Sequence, residues 1–270
     1  MIPYPFTYHR ATSLKDAEAL LARMPDAKLL AGGHTLIPAM KLRLANPAAL
    51  IDISRLRELS FIRREGDRLY IGAGTRHAAV ASSKAVREVI PALARLAEEI
   101  GDPAVRHMGT LGGSVANNDP AADYPAGVLG LGATVHTTRR RIAADDFFTG
   151  MFSTALEEGE IVTQLEFPLP NRAGYVKFAN PASRYALVAV FVAETATGVR
   201  VTVTGAGPCV FRVPAMETAL ARSFMPDAVA AISVPADGLN SDIHGSAEYR
   251  AHLIPVIAKR AVGAALSGPQ

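Results

Sequence analysis

The sequence predicts an α+β protein of more than one unit, and three observations carry this. The first 55 residues alternate strand, helix and strand. The pair Pro168-Leu169-Pro170 cuts the chain just after a strand pattern. The remainder then orders its strand patterns before its helical ones. Segregated strands and helices mark an α+β layer domain, and a proline pair ends a strand and marks a boundary. The expected units are 1–170, with lobes of about 1–55 and 56–170, and 171–270.

Each element has its own signal. Leu14, Ala17, Leu20 and Leu21 share one helical face within residues 13–23, and Ser13 with Asp16 supplies a capping start. The apolar run from Lys28 to Ala31 reads as a buried strand that breaks at Gly32-Gly33, and 50–54 reads as the next strand. Residues 61–64 and 69–72 flank a Glu-Gly-Asp turn and form a strand pair. A helix is expected over 84–100, bent or split by Pro91. A glycine-bearing loop covers 109–118, an apolar helix 125–132 and a strand 160–167. Beyond the prolines, strands are expected at 175–179, 186–194 and 199–204. Helices follow near 214–222, 226–232 and 246–266, with a polar loop at 233–245.

Composition narrows the chemistry. Of 270 residues, 49% are hydrophobic and 20% charged, which suits a folded globular chain. No apolar run reaches the roughly 18–20 residues that cross a bilayer, and the first ten residues lack the basic-then-apolar order of a secretory signal. A cytoplasmic location is the expectation. The lone Cys209 excludes an internal disulfide and any four-cysteine metal or cluster site within the chain. A net charge of +3 with scattered basic residues gives no nucleic-acid footprint, and Arg139-Arg140-Arg141 reads as a solvated turn.

Two glycine segments stand out. Ala31-Gly32-Gly33-His34-Thr35 follows a strand and precedes a short helical stretch. Glycines permit positive φ and close backbone approach, and consecutive N–H groups can form a concave donor set for an anion. A plain turn accounts for the same residues. Gly109-Thr110-Leu111-Gly112-Gly113-Ser114 repeats the chemistry, and two such segments from separate lobes can grip a pyrophosphate from both sides. Asn117, Asn118, Asp119 and Asp123 follow, able to bond sugar hydroxyls or simply to form a turn. Neither a G-x-G-x-x-G fingerprint nor a phosphate-binding G-K-[ST] loop is present. Among the histidines, His34 reads as a loop contact rather than a base, and His77 and His107 as surface or helix-end residues. Asp145-Asp146 and Glu157-Glu158 read as solvated turns.

Five stretches together resemble the flavoprotein (medium) subunit of molybdenum hydroxylases, and most of all its aerobic carbon monoxide dehydrogenase group. They are AGGHTLIPAMKLRLA at 31–45, EEIGDPAVRHMGTLGGSVANNDPAADYPA at 98–126, GEIVTQLEFPLP at 159–170, YVKFANPASRYALVAV at 175–190 and SAEYRAHLIPV at 246–256. The resemblance implies a two-lobed FAD-binding domain of the vanillyl-alcohol oxidase type followed by a smaller C-terminal α+β domain. It implies FAD as cofactor, its pyrophosphate clasped by Ala31, Gly32, Gly33, His34 and Thr35 and by Thr110, Leu111, Gly112, Gly113 and Ser114. By position it adds Ile100, Asp123, Val162, Lys177 and Tyr185 to the cofactor site, with no catalytic acid, base or nucleophile and no metal.

The resemblance also implies partners. A large subunit carries the molybdenum cofactor and oxidises the substrate, and a small subunit carries two 2Fe–2S clusters. Electrons then pass through FAD to an external acceptor. Arg106 and His107 are expected near the small-subunit interface. Two other readings stand beside this one: a self-sufficient FAD-dependent oxidoreductase capped by the residues after Pro170, and an assembly subunit without FAD.

Overall fold

A computed structural model describes residues 1–268. The N-terminal lobe is a small parallel sheet. Strand β1 (Thr7–Arg10), helix α1 (Leu14–Arg23), β2 (Ala27–Leu30), α2 (Leu36–Lys41) and β3 (Ala49–Asp52) follow one another, and β3 lies between β1 and β2. Being central, β3 is buried along its whole length. The Ser13 hydroxyl caps α1 by accepting from the Asp16 N–H at 3.1 Å. The sequence reading omitted β1, whose TYHR pattern is mostly exposed and lacks a buried face.

The second lobe is an antiparallel five-stranded sheet with helices. It begins with the hairpin β4 (Ile62–Glu65) and β5 (Arg68–Gly72), then α3 (His77–Ser82), α4 (Lys84–Val89) and α5 (Pro91–Glu98). The expected long helix is thus two, with Pro91 at the first position of α5, where its missing N–H costs nothing. Helices α6 (Pro103–Met108), α7 (Leu111–Asn117) and α8 (Tyr124–Gly130) come next. Strands β6 (Thr134–Thr137) and β7 (Arg141–Ala143), the short helix α9 (Ala144–Phe147), the β8 (Phe148–Gly150) and β9 (Ser153–Thr154) pair and β10 (Val162–Pro168) complete the lobe. β10 returns to the middle, giving the order β4-β5-β10-β6-β7.

Two sequence readings are corrected here. The second glycine segment is not a loop: Leu111 to Asn117 are helical, capped by Thr110 Oγ1, which accepts from the Gly113 N–H at 3.2 Å. The arginine cluster is the β6–β7 turn and is not merely solvated. Arg140 is bonded to the buried Glu160 at 3.0 Å through both Nε and Nη2, and these contacts with Thr137 hold the Glu160 carboxyl down to about 2.

The last sheet, in order, is β11 (Arg172–Ala179), β12 (Ala186–Thr195), β13 (Gly198–Thr204) and β14 (Phe211–Arg212), followed by α10 (Pro214–Arg222), α11 (Asp227–Ala230) and α12 (Ala247–Ser267). β12 explains its own continuous apolar run. Val188, Val190 and Val192 face α10–α12, while Ala189, Phe191 and Ala193 join the core of the second lobe. A strand buried on both faces has no polar side to show. Gly174 lets α12 lie directly on β11, because a Cβ there would sit 2.1 Å from the Ala261 carbonyl oxygen. Among the described residues no helix is long and apolar enough to cross a membrane.

Candidate cofactor cleft

A cleft of about 1180 Å³ runs between the N-terminal lobe and the second lobe. Small-molecule pockets span roughly 300–1,000 Å³, so this one suits a ligand of dinucleotide size. Ala31, Gly32, Gly33, His34 and Thr35 line one wall, and Thr110, Gly112, Gly113 and Ser114 the facing one; Ile100, Asp123, Val162 and Tyr185 also line the cleft. The fold therefore brings together residues from β2's end, α5's end, α7, α8, β10 and the turn before β12.

The two glycine walls work differently. In the first, the N–H groups of Gly32, Gly33, His34 and Thr35 donate to no protein acceptor among the described residues. Gly33 sits at φ 73°, which turns the chain toward α2 while its carbonyl accepts from the Ile37 N–H at 3.0 Å. His34 Nδ1 lies 3.2 Å from the Gly32 carbonyl. Four adjacent amides without protein partners are left free to donate, as in the donor sets that bind anions. In the second wall the amides are already engaged: Leu111 N–H donates to Thr75 O at 2.9 Å, Gly112 N–H to Ala73 O at 2.8 Å and Ser114 N–H to Thr110 O at 3.0 Å. Among that wall's amides only the Thr110 N–H is without a protein partner among the described residues, so it offers mainly surface and side chains. Its glycines serve close packing: a Cβ on Gly112 would lie 2.5 Å from the Ala73 Cβ.

The walls touch at Gly32. A Cβ there would lie 2.3 Å from the Met108 carbonyl oxygen and 2.8 Å from the Gly109 Cα. Leu111 points the other way and is fully buried in the core beneath the cleft.

At the inner end Asp123 is buried and accepts two bonds on one oxygen. Lys177 Nζ donates to Oδ1 at 2.7 Å, and the Tyr175 hydroxyl donates to the same atom. Oδ2 has no protein partner among the described residues. Burial pushes the Asp123 carboxyl up, opposed by the Lys177 ammonium. Lys177 also donates to the Glu99 carbonyl at 2.8 Å and does not itself line the cleft; it sits behind Asp123. Asn118 is spent on structure, since its Nδ2 donates to Gly150 O and Ser153 O. Asn117 and Asp119 line the cleft. Arg106 folds back to donate to the Ile100 and Gly101 carbonyls at 3.0 Å.

Tyr185, 48% exposed, forms part of the rim and also lines an adjoining cavity of about 330 Å³. Burial, and then the charges of Asp119 and Asp123, push its hydroxyl up. His77 departs most from its sequence reading. It begins α3 but is 4% exposed and lines the cleft, because the 73–77 segment pairs with 109–112 and folds the ring inward. Nothing in TRHAAVA signals that burial.

Comparison with known proteins matches residues 4–170 to the family described as "FAD binding domain in molybdopterin dehydrogenase". The chain is 38% identical to the carbon monoxide dehydrogenase medium chain of Afipia carboxidovorans, covering 97% of each chain. It is also 38% identical to the nicotine 6-hydroxylase medium subunit of Paenarthrobacter nicotinovorans, covering 94% of this chain and 95% of that one. Among solved structures it superposes on the reconstituted CO dehydrogenase from Oligotropha carboxidovorans with a TM-score of 0.91 at 35% identity, covering 99% of this chain and 100% of that one.

Proposed function

We infer, from the fact that this chain belongs to the family of FAD-binding domains in molybdopterin dehydrogenases, how its cleft serves a molybdenum hydroxylase complex as the FAD-binding medium subunit. The observation that carries the assignment of the site is the run of four unpartnered amides from Gly32 to Thr35 opening into a cleft of dinucleotide size. These amides hold the FAD diphosphate, with Thr110, Gly112, Gly113 and Ser114 closing the opposite side. Asp123 accepts from a cofactor hydroxyl or ring N–H through its free Oδ2. Lys177 acts at one remove by fixing the Asp123 carboxylate. Ile100, Val162 and Tyr185 offer apolar surface to the flat rings.

Bound FAD supplies the ability to accept electrons singly and deliver them in pairs. The residues of this chain bind and orient it and keep water from its inner end; none is needed as a nucleophile or general base. In such a complex the bound flavin would take electrons from the 2Fe–2S clusters of a small subunit and pass them to an external acceptor, substrate oxidation belonging to a large molybdenum-cofactor subunit. The two medium-subunit relatives belong to enzymes named for carbon monoxide and for nicotine, yet this chain is 38% identical to each. Substrate choice therefore lies on another chain. We assign residues 1–170 to FAD and 171–270 to a supporting C-terminal domain, and place the protein in the cytoplasm.

The test is purification of the chain with FAD, followed by addition of candidate substrates alone and then with the reduced 2Fe–2S subunit. Flavin reduction only in the second case supports an electron-transfer subunit. Turnover of an organic substrate by the isolated chain supports a self-sufficient oxidoreductase instead.

A further inference from the structure

His77 is a buried polar group that the proposed cofactor contacts do not use. Its backbone is fixed by the N–H bond to the Gly109 carbonyl at 3.0 Å, and its ring lies 5.3 Å from the Tyr124 ring, centroid to centroid. The Nε2 edge faces the Gly109 backbone so closely that a Cβ on Gly109 would sit 2.5 Å from Nε2. Gly109 is also where the Gly32 wall makes contact. The imidazole therefore stands at the junction of the two glycine walls. Neither ring nitrogen has a hydrogen-bond partner among the described residues, and Nδ1 is wholly shielded.

Nδ1 is closed to any ligand in the cleft, so Nε2, which is not fully shielded and has no protein partner among the described residues, is the nitrogen a cleft ligand can reach. The ionisable side chains that act on this ring are His34 and Arg106, and no carboxylate is among them. Burial first, and then these two groups, lower the imidazole to about 4. At neutral pH it is thus a neutral ring with one N–H to donate. An anion placed between the walls meets that donor.

We propose that His77 is a cofactor-holding residue, its Nε2–H donating to a phosphate oxygen of the diphosphate beside the junction of the two glycine walls. This rests on reading the cleft as the FAD site. It gives the second wall, whose amides are engaged except for that of Thr110, a side-chain donor.

The experiment titrates the full chain, stripped of cofactor, with FAD and with adenosine diphosphate at neutral pH, for the wild type, His77→Phe and His77→Gln. Phe keeps the ring's bulk without a donor; Gln restores an N–H at similar reach. Loss of one hydrogen bond to a charged group corresponds to roughly tenfold or more in affinity. The expected result is a loss of that size for both ligands in His77→Phe, with most of it recovered in His77→Gln. Equal affinities for wild type and His77→Phe overturn the proposal, as does His77→Gln binding no better than His77→Phe. Where a variant fails to fold, the wild-type ¹⁵N resonances of His77 decide: a shift on adding adenosine diphosphate is expected, and unchanged resonances overturn it. A wild type that binds no FAD defeats the site assignment itself, whereas FAD bound equally by wild type and His77→Phe defeats only the role of His77.

Discussion

Replacing Gly32 by Ala tests whether the junction of the two walls sets cofactor affinity. The new Cβ would meet the Met108 carbonyl oxygen at 2.3 Å and the Gly109 Cα at 2.8 Å. Ordinary contact begins near 3.4 Å, so the walls must part by about 1 Å (3.4 less 2.3). Both obstacles are backbone atoms, and no rotamer change relieves them. Overpacking of this kind costs about 1–3 kcal/mol. If the cleft opens to relieve it, the cost falls on the closed arrangement that grips the diphosphate. Affinity for FAD then drops by about 5- to 150-fold, at 1.4 kcal/mol per factor of ten. The assay is FAD titration by quenching of flavin fluorescence, with the thermal midpoint followed alongside. Gly66→Ala is the control: it lies in the β4–β5 turn at φ 60° with open space around it, so it strains the turn without touching the cleft. Wild-type FAD affinity in Gly32→Ala would refute the reasoning.

Other substitutions probe the rest of the account. Gly33→Val places a branched side chain at φ 73° in the donor wall and should abolish FAD retention on gel filtration; a yellow variant with full occupancy contradicts the diphosphate assignment. Asp123→Asn leaves the Lys177 ammonium buried without its counter-charge and should lower stability to denaturant by about 3–5 kcal/mol. Lys177→Met should cost less, because an Asp123 carboxyl that has lost its ammonium partner is pushed further up by burial and can shed its charge by taking a proton; an equal loss for both variants would contradict that asymmetry. The Glu160 carboxyl, ordinarily near 4.5, is held down to about 2 by Arg140. Its stabilisation is therefore complete above about 4.5 and lost as pH falls toward 2. Arg140→Met should lower the thermal midpoint at pH 7, less at pH 3 and barely at pH 2, and a deficit constant from pH 7 to pH 2 refutes the ion-pair origin. Gly174→Ala, with its Cβ 2.1 Å from the Ala261 oxygen, should destabilise the α12–β11 packing by about 1–3 kcal/mol in chemical denaturation; an unchanged midpoint refutes the close approach.

Much of the fold was legible because local signals agreed with the tertiary structure. Ser13 caps the helix it precedes, Pro91 splits its helix, and the apolar run at 186–194 forms the expected strand. The α7 helix was not legible, since Thr-Leu-Gly-Gly-Ser has the composition of a loop. It is helical because Gly112 can seat on Ala73 and because Thr75 and Ala73 accept its first amides. The β6–β7 hairpin was hidden by its arginine turn. Most of the residues assigned to the site by family resemblance do line one cleft, but two do not: Leu111 is core and Lys177 stands behind Asp123. Which wall has free amides, and the burial of His77, depend on contacts between segments far apart in sequence, which spacing alone does not encode.

The central claim is that the cleft recognises FAD through its diphosphate, and the most direct test is calorimetric titration of the cofactor-free chain with FAD, FMN and riboflavin in turn. The account predicts one FAD per chain, with FMN and riboflavin far weaker because they lack the diphosphate bridge that the Gly32–Thr35 amides are positioned to hold. Failure to bind FAD, or FMN and riboflavin binding as tightly as FAD, would contradict it.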